Sequence, residues 1–484
     1  MSATQTCRPA ATMDELPLEN RALLQVVHGF PPAAVTGTEQ HVFGLARELA
    51  RRNRVHVFTR EVRPDAPEYS ARDDDVDGVQ VRRLAMPRLN GSPARLARIC
   101  DAAIEEAFAR YLEETGADLV HVHHALDLSL SLVTLAKRRG VPVVVTLHDY
   151  YFACPRINLV RDDGSLCDGP RDGRRCGPCL AALPPSPAPI TPGRLRLYLR
   201  HRLRPQARLE AELGAAWTEL ASQAATLAAH QGPVPGGHRD LFALRRAWAA
   251  YQLAQADALV APSQSTASIV SSQCPGLRPI RVVAHGIDVE RFRAVRRTSS
   301  AIVRFGFLGT VAAHKGVDVL LRAFARLPQG LPASGGRASL AIHGTVTDEA
   351  FAARVRRLAH RAGAIVGGAY QPQDLPRLLA EIDVVVVPSV VPESFGLVVR
   401  EAFASGAPVI ASRIGALTEA VRDGVDGLLV KPGDARALAA AMRRFVDEPA
   451  LLGAMRANLP RVKTTAENAA EIAAIYAEVL ARPN

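Results

Sequence analysis

The sequence predicts an α/β protein of two doubly wound, mostly parallel sheets, and three observations carry that reading. Short runs of Val, Ile and Leu alternate with longer segments of helical period, the pattern left by strands buried on both faces. The runs fall into two series, together more than one open sheet usually holds. With 484 residues, 48% of them hydrophobic, the chain has material for two cores.

The first series predicts strands at 23–28, 55–59, 119–123, 143–147, 258–261 and 280–284, with helices at 38–51, 97–115 and 128–139 between them. The second predicts strands at 302–308, 340–343, 364–366, 384–387, 409–411 and 428–430. Its helices are expected at 317–326, 348–361, 374–380, 395–404, 417–421 and 435–446. The economical division is a Rossmann-like domain over 21–286, a second over 287–465 and a closing helix over 466–484, with ligands in the cleft that faces the carboxyl ends of the strands. Between Leu183 and Arg246 the alternation fails. Pro184, Pro185, Pro187, Pro189 and Pro192 make a stiff connector, followed by an Arg-rich stretch, an Ala-rich stretch around Trp217 and a break at 232–237. This reads as an insertion, about 151–250, in the first domain.

Lys and Arg number 59 against 48 Asp and Glu, a net charge of +11 that suits anionic partners. No apolar run is long enough to span a membrane and the first twenty residues are polar and acidic, so a cytoplasmic protein is expected. No P-loop and no Gly-x-Gly-x-x-Gly occurs, which removes the main support for NTPase and dehydrogenase readings. Neither an aromatic-interleaved basic patch nor a recognition motif points to nucleic acid.

The most informative stretch is Pro388-Ser389-Val390-Val391-Pro392-Glu393-Ser394-Phe395-Gly396-Leu397, leading to Glu401 and then Gly406-Ala407-Pro408. A strand, a turn and a helix start near Ser394 would leave the amides of Ser394, Phe395, Gly396 and Leu397 free for a diphosphate. Glu393 and Glu401, eight apart, would project to one side of that helix. Phe307-Leu308-Gly309-Thr310-Val311-Ala312-Ala313-His314-Lys315-Gly316 repeats the strand, loop and helix order and sets Lys315 where its ammonium can neutralise a phosphate. In 29–39, Gly37 would let a phosphate approach the start of the first helix.

In combination and order these segments resemble the retaining glycosyltransferases of family 4 (glycosyl transferases group 1), whose GT-B fold sets two Rossmann-like domains face to face. The resemblance runs from about Leu23 to Val446 and is strongest over 302–434, with Gly406-Ala407-Pro408-Val409-Ile410 and Asp423-Gly424-Val425-Asp426-Gly427-Leu428-Leu429-Val430 matching around the two glutamates. It implies that Glu401 hydrogen-bonds the nucleotide ribose and that Glu393 and the 395–397 amides face the donor sugar and diphosphate. It also implies that Lys315 holds the diphosphate, Gly37 approaches it from the first domain, and His148 in Thr146-Leu147-His148-Asp149-Tyr150 lines the reaction centre. The expected catalytic set is therefore Glu393, His148 and Lys315, with no catalytic metal. Two positions depart from the family pattern. Gly309-Thr310 stands where many relatives carry Gly-Arg, leaving Arg304 or His314 as candidate replacements for the cation, and Thr36 stands where a second glycine is common.

The implied reaction moves a sugar from a nucleotide-diphosphate sugar to a carbohydrate or lipid-linked hydroxyl with retention of configuration, in polysaccharide or glycolipid assembly. The alternatives are a nucleotide-sugar epimerase and a non-catalytic nucleotide-sugar-binding partner subunit.

Cys154, Cys167, Cys176 and Cys179 cluster, ending in a C-x-x-C pair in a segment without a core of its own, and suit a structural zinc; redox-active pairs and unpaired thiols are the alternatives. His121, His123 and His124 also suggest ligands, although only His121 and His123 share a strand face. From Arg194 to Arg208 six arginines accompany leucines at every fourth position and no acidic residue, a stretch able to lie against an anionic membrane at its inner face or to dock on the protein itself.

Overall fold

The computed structural model describes residues 17–86, 101–161, 164–169, 176, 179, 238–298, 300–327, 337–346 and 348–482. The proline connector, the arginine stretch 194–208, the segment around Trp217 and the break at 232–237 lie outside them, as do Cys7 and Cys100.

The first sheet has eight strands: β1 (Ala22–Val26), β2 (Arg54–Val62), β3 (Ala71–Val76), β4 (Val79–Met86), β5 (Leu119–Val122), β6 (Val143–Thr146), β7 (Ala258–Ala261) and β8 (Ile280–Val282). Their order is β3-β4-β2-β1-β5-β6-β7-β8, all parallel except the β3–β4 hairpin. That hairpin was not anticipated. Ala71–Val76 reads ARDDDV and has no apolar run, because it is an edge strand whose charged residues leave it partly solvated. Around the sheet lie α1 (Gly37–Ala50), α2 (Ala102–Thr115), α3 (Leu132–Arg138), α4 (His238–Gln255) and α5 (Gln264–Gln273).

Period-two alternation assigns the β1 side chains to opposite faces. Leu24 and Val26 join Phe58, Phe108, Val122 and Val145 in one core. Leu23 joins Val57, Val144 and Val260 in another.

The second sheet comprises β9 (Val303–Leu308), β10 (Ala338–His343), β11 (Ile365–Gly368), β12 (Val384–Val387), β13 (Val409–Ser412) and β14 (Gly427–Val430). Its order is β11-β10-β9-β12-β13-β14. The Val384–Val387 run is wholly buried at its centre. Gly306 of β9 has no side chain because the Ile382 side chain fills that space; a Cβ there would lie 2.2 Å from it. Helices α6 (Glu290–Arg293), α7 (Val317–Phe324), α8 (Glu349–Ala362), α9 (Leu375–Ala380), α10 (Leu397–Ala404), α11 (Leu417–Ala420), α12 (Ala435–Asp447) and α13 (Pro449–Ala457) pack about it.

The chain then returns. The final helix, α14 (Thr465–Leu480), opens with a capping box between Thr464 and Glu467. Its buried face, Ala469, Ile472, Ala473, Tyr476 and Val479, completes the core beneath the first sheet. No helix among the described residues is long and apolar enough to cross a membrane.

Candidate active site

Loops from the carboxyl ends of both sheets meet. Ser263, just after β7, donates through Oγ to the Ser394 carbonyl at 2.7 Å, and Thr266 Oγ1 donates to the same oxygen at 3.1 Å. The Glu419 carboxylate accepts the N–H groups of Gln264 and Ser265 at 2.9 and 2.6 Å, so an acid of one domain caps α5 of the other. These contacts define a cleft floored by the segments that the sequence singled out.

On the second-domain side, β12 ends at Val387 and α10 begins at Leu397. The sequence reading placed the helix start at Ser394 to Phe395 and put both glutamates on it; the structure corrects this. Gly396 adopts φ 76°, ψ 57°, a left-handed conformation that breaks the helix before it starts, and Glu393 belongs to the preceding loop. No hydrogen bond from the N–H of Ser394, Phe395, Gly396 or Leu397 to the described residues is formed.

Lys315 Nζ donates to Glu393 Oε1 at 2.7 Å, and Ser389 Oγ donates to the same oxygen. Burial opposes ionisation of Glu393, but Lys315 and Ser389 outweigh it and hold the carboxyl below its usual range. The two loops are stitched together by Val390 N–H to the His314 carbonyl at 2.9 Å. Gly316 follows Lys315 at φ 70°, where a Cβ would stand 2.0 Å from the Pro388 carbonyl oxygen.

Glu401 lies on α10. Burial raises its carboxyl to about 7, with Arg291 only partly offsetting the effect. Arg400, beside it in sequence, places its guanidinium 5.2 Å over the Phe395 ring, a cation at the site that the sequence did not single out. Neither candidate replacement for the missing arginine serves. Arg304 is at the far end of β9, bound twice to Asp383 at 2.9 and 3.0 Å. Burial and the neighbouring Lys315 lower His314 to about 4, so it is neutral at pH 7.

From the first domain, Gly37 is the first residue of α1, and a Cβ on it would meet the Leu397 side chain at 2.8 Å. Its bareness thus serves close approach between the two helix starts. Glu39, in the first turn, binds His28 at 3.1 Å and Thr36 Oγ1. Burial resists its ionisation, yet those partners hold it at about 2.

His148, after β6, is buried, with Nε2 at 3.0 Å from His123 Nδ1 and Nδ1 at 3.1 Å from His285 Nε2. His285 in turn lies 4.9 Å from the Phe395 ring across the cleft. His41 of α1 stacks on His285 with ring centroids 3.7 Å apart. His41 and His285 were missed because they are 244 residues apart and only the fold joins them.

The triple His121, His123 and His124 is not one ligand set. His121 bonds Tyr476 and Thr146, His123 bonds Gln25 and His148, and His124 bonds Asp149.

Cys154 and Cys176 are buried, and Cys167 and Cys179 partly so; no disulfide joins described cysteines. The four interact electrostatically: burial, then Cys154, Cys167 and Cys179, push the Cys176 thiol up to about 12, and burial pushes Cys154 up to about 11. Among the described residues, the group that brings three candidate ligand atoms within 4.8 Å of one another is His41, His148 and His285.

Two facing Rossmann-like sheets with a cleft at their carboxyl edges define the GT-B class. The family described as Glycosyltransferase Family 4 matches residues 35–166, and Glycosyl transferases group 1 matches 303–448. The chain belongs to this family of glycosyltransferases. It is 36% identical over 222 residues to the D-inositol 3-phosphate glycosyltransferase of Rhodococcus opacus, covering 43% of this chain and 50% of that protein. It is 28% identical over 440 residues to D-inositol 3-phosphate glycosyltransferase 1 of Catenulispora acidiphila, covering 87% and 85%. The chain spans about half the length of most of the curated relatives it matches. Among solved structures, sucrose-phosphate synthase of Thermosynechococcus elongatus superposes with a TM-score of 0.62 at 18% identity, over 96% of this chain and 100% of that one. Anabaena HepE in complex with UDP and glucose gives 0.58 at 15%, over 95% and 100%. These likenesses establish the fold.

Proposed function

We propose that the cleft transfers a sugar from a nucleoside-diphosphate sugar to a carbohydrate or lipid-linked hydroxyl, with retention at the anomeric carbon, in polysaccharide or glycolipid assembly. The observation that carries this reading is the Lys315–Glu393 pair set beside four amides, at 394–397, that bond none of the described residues. Breaking the bond between anomeric carbon and phosphate oxygen leaves the electron pair on the diphosphate and positive charge on the sugar. Lys315 and the amides are the groups that stabilise the departing anion. The acceptor oxygen then bonds the anomeric carbon from the same face and gives its proton to the departing phosphate oxygen. Glu393 faces the sugar, Glu401 accepts from the ribose hydroxyls, and Gly37 with Leu397 closes the floor. His148 is a positioning residue, its ring held in a wall that reaches Phe395 through His285. No step is routed through a metal.

The HepE structure holds UDP and glucose, which favours a uridine nucleotide as the first donor to try. The test is release of nucleoside diphosphate from a panel of UDP-, GDP- and ADP-sugars, with and without EDTA. The reading predicts EDTA-insensitive turnover of one donor that Lys315→Ala lowers by about 10²-fold or more. Absence of turnover and of binding for every donor would refute it.

The four cysteines are assigned to a structural zinc that fastens the 154–179 segment to the first domain. What supports this is the electrostatic action of Cys154, Cys167 and Cys179 on Cys176 and the burial of Cys154 and Cys176; the four sulfurs are not themselves gathered within 4.8 Å, so the ion would have to draw them together. A thiol held at about 12 ionises only against a cation, and zinc supplies one. About one zinc per chain, lost in Cys176→Ser/Cys179→Ser, is the expected metal content of that segment.

A further inference from the structure

The amides of the proposed diphosphate site are not all fixed by the domain that carries them. We propose that Ser263 and Thr266, side chains of the first domain, are positioning residues for the diphosphate: they hold the Ser394 carbonyl and thereby aim the Phe395 amide, which is organised only while the two domains touch. The inference rests on the transfer reading, since it concerns what readies that site for its donor.

A trans peptide is planar, with its C=O and N–H on opposite sides, so fixing the carbonyl of one residue fixes the amide of the next. The Glu393 carbonyl accepts the Ala416 N–H at 2.9 Å, and the second domain therefore sets the Ser394 amide by itself. The next peptide is different. Its carbonyl, that of Ser394, accepts from Ser263 Oγ at 2.7 Å and from Thr266 Oγ1 at 3.1 Å. No other donor among the described residues reaches it. Two hydroxyls match the two lone pairs of a carbonyl oxygen. The Phe395 N–H, on the opposite edge of the peptide, points away from α5 and bonds to none of the described residues.

Both hydroxyl hydrogens are available to the carbonyl. Ser263 caps α5 by accepting the Thr266 N–H at 3.1 Å, a role that uses a lone pair and leaves the hydrogen over. Thr266 Oγ1, also 3.1 Å away, is the longer alternative for that hydrogen; the Ser394 oxygen at 2.7 Å is the shorter. A threonine within a helix can return its hydroxyl to a carbonyl of the preceding turn, but that of Thr266 crosses to the other domain instead. Ser263 and Thr266 are 4% and 0% exposed, so water does not take their place. A peptide whose carbonyl accepts hydrogen bonds is also the stronger donor through its N–H, by about 10–30% per bond, which favours an anionic oxygen at Phe395.

The test measures, by NMR titration of the full chain, affinity for UDP, GDP and ADP and for their parent nucleosides. The variants are Thr266→Val, which keeps side-chain volume and the α5 cap, Thr266→Ser, and Ser263→Ala/Thr266→Val. In the double variant, affinity for the diphosphate that wild type prefers should fall about tenfold or more, the worth of one hydrogen bond to a charged group. Affinity for the parent nucleoside should not change, which also reports an intact fold. Thr266→Val should fall in between, and Thr266→Ser, which keeps the hydroxyl, should match wild type. Equal weakening of nucleoside and diphosphate in Thr266→Val, or an undiminished diphosphate affinity in the double variant, overturns the inference and leaves the transfer reading standing. So does a Thr266→Ser variant as weak as Thr266→Val, which would make packing rather than the hydroxyl the cause. Wild type that binds none of the diphosphates refutes the transfer reading, and this inference with it.

Discussion

Replacing Glu401 by Gln probes the nucleotide end of the proposed site through its pH dependence. Burial raises the Glu401 carboxyl to about 7 in the free protein. If the ribose hydroxyls donate to the ionised form, binding selects that form. With a pKa of about 7 the carboxylate is about one tenth populated near pH 6 and about nine tenths near pH 8, so affinity should rise about tenfold over that interval. The stability sign is opposite. A carboxyl whose folded pKa lies above its unfolded value favours folding at low pH, and that contribution is lost as pH rises from about 4.5 through about 7. The stabilisation conferred by nucleotide should therefore grow over the window in which the free protein weakens. Calorimetric titration with the nucleoside diphosphate chosen by the donor panel, at three pH values and constant ionic strength, measures the effect. The ratio of wild-type to Glu401→Gln affinity cancels ionisation of the ligand's own phosphate. That ratio should climb about tenfold; a ratio flat with pH refutes the role given to Glu401.

Three further outcomes are expected. Gly316→Ala sets a Cβ 2.0 Å from the Pro388 carbonyl at φ 70°, and should lower unfolding stability by about 1–3 kcal/mol in a denaturant titration while reducing nucleotide affinity. Tyr476→Ala empties a fully buried position on α14 and should cost about 3–5 kcal/mol, whereas Tyr476→Phe, which removes only the hydroxyl bound to His121, should cost about 1–2 kcal/mol. Glu419→Ala deletes the acceptor of two amides across the cleft; small-angle scattering should show a larger radius of gyration, and an unchanged radius would mean that this cap does not hold the domains together.

The sheets were legible because their strands are short and buried on both faces, so runs such as Val143–Thr146 and Val384–Val387 carry no polar interruption. The β3–β4 hairpin was not, since an edge strand is permitted the Asp73, Asp74 and Asp75 that erase the signal. The candidate site could be outlined from the sequence where its residues are contiguous along the chain, from Ser389 to Glu401. The outline failed where backbone geometry decides: Gly396 at φ 76° shifts the helix start to Leu397 and takes Glu393 off the helix. Of the histidines that meet beside Phe395, only His148 was singled out; His41 and His285 left no local signal, because α1 and the β8 loop each contribute a single ring.

The Lys315–Glu393 pair links these levels. Alone, a lysine among loops or a carboxylate in a closed cleft is expensive to bury; together at 2.7 Å they neutralise each other while remaining charged. Ser389, on the same loop as Glu393, donates to the same carboxylate oxygen and so gives it a partner besides Lys315. In the proposed reaction the donor diphosphate, with more negative charge than one carboxylate, competes for Lys315, and the freed Glu393 oxygen becomes an acceptor for sugar hydroxyls. Thr310 then has a definite consequence. With Arg304 committed to Asp383 and His314 neutral, the loop after β9 brings one cation to the diphosphate. The amides at 394–397 consequently carry a larger share of the stabilisation, so donor affinity should be more sensitive to the backbone at Gly396 than to any side chain of that loop except Lys315.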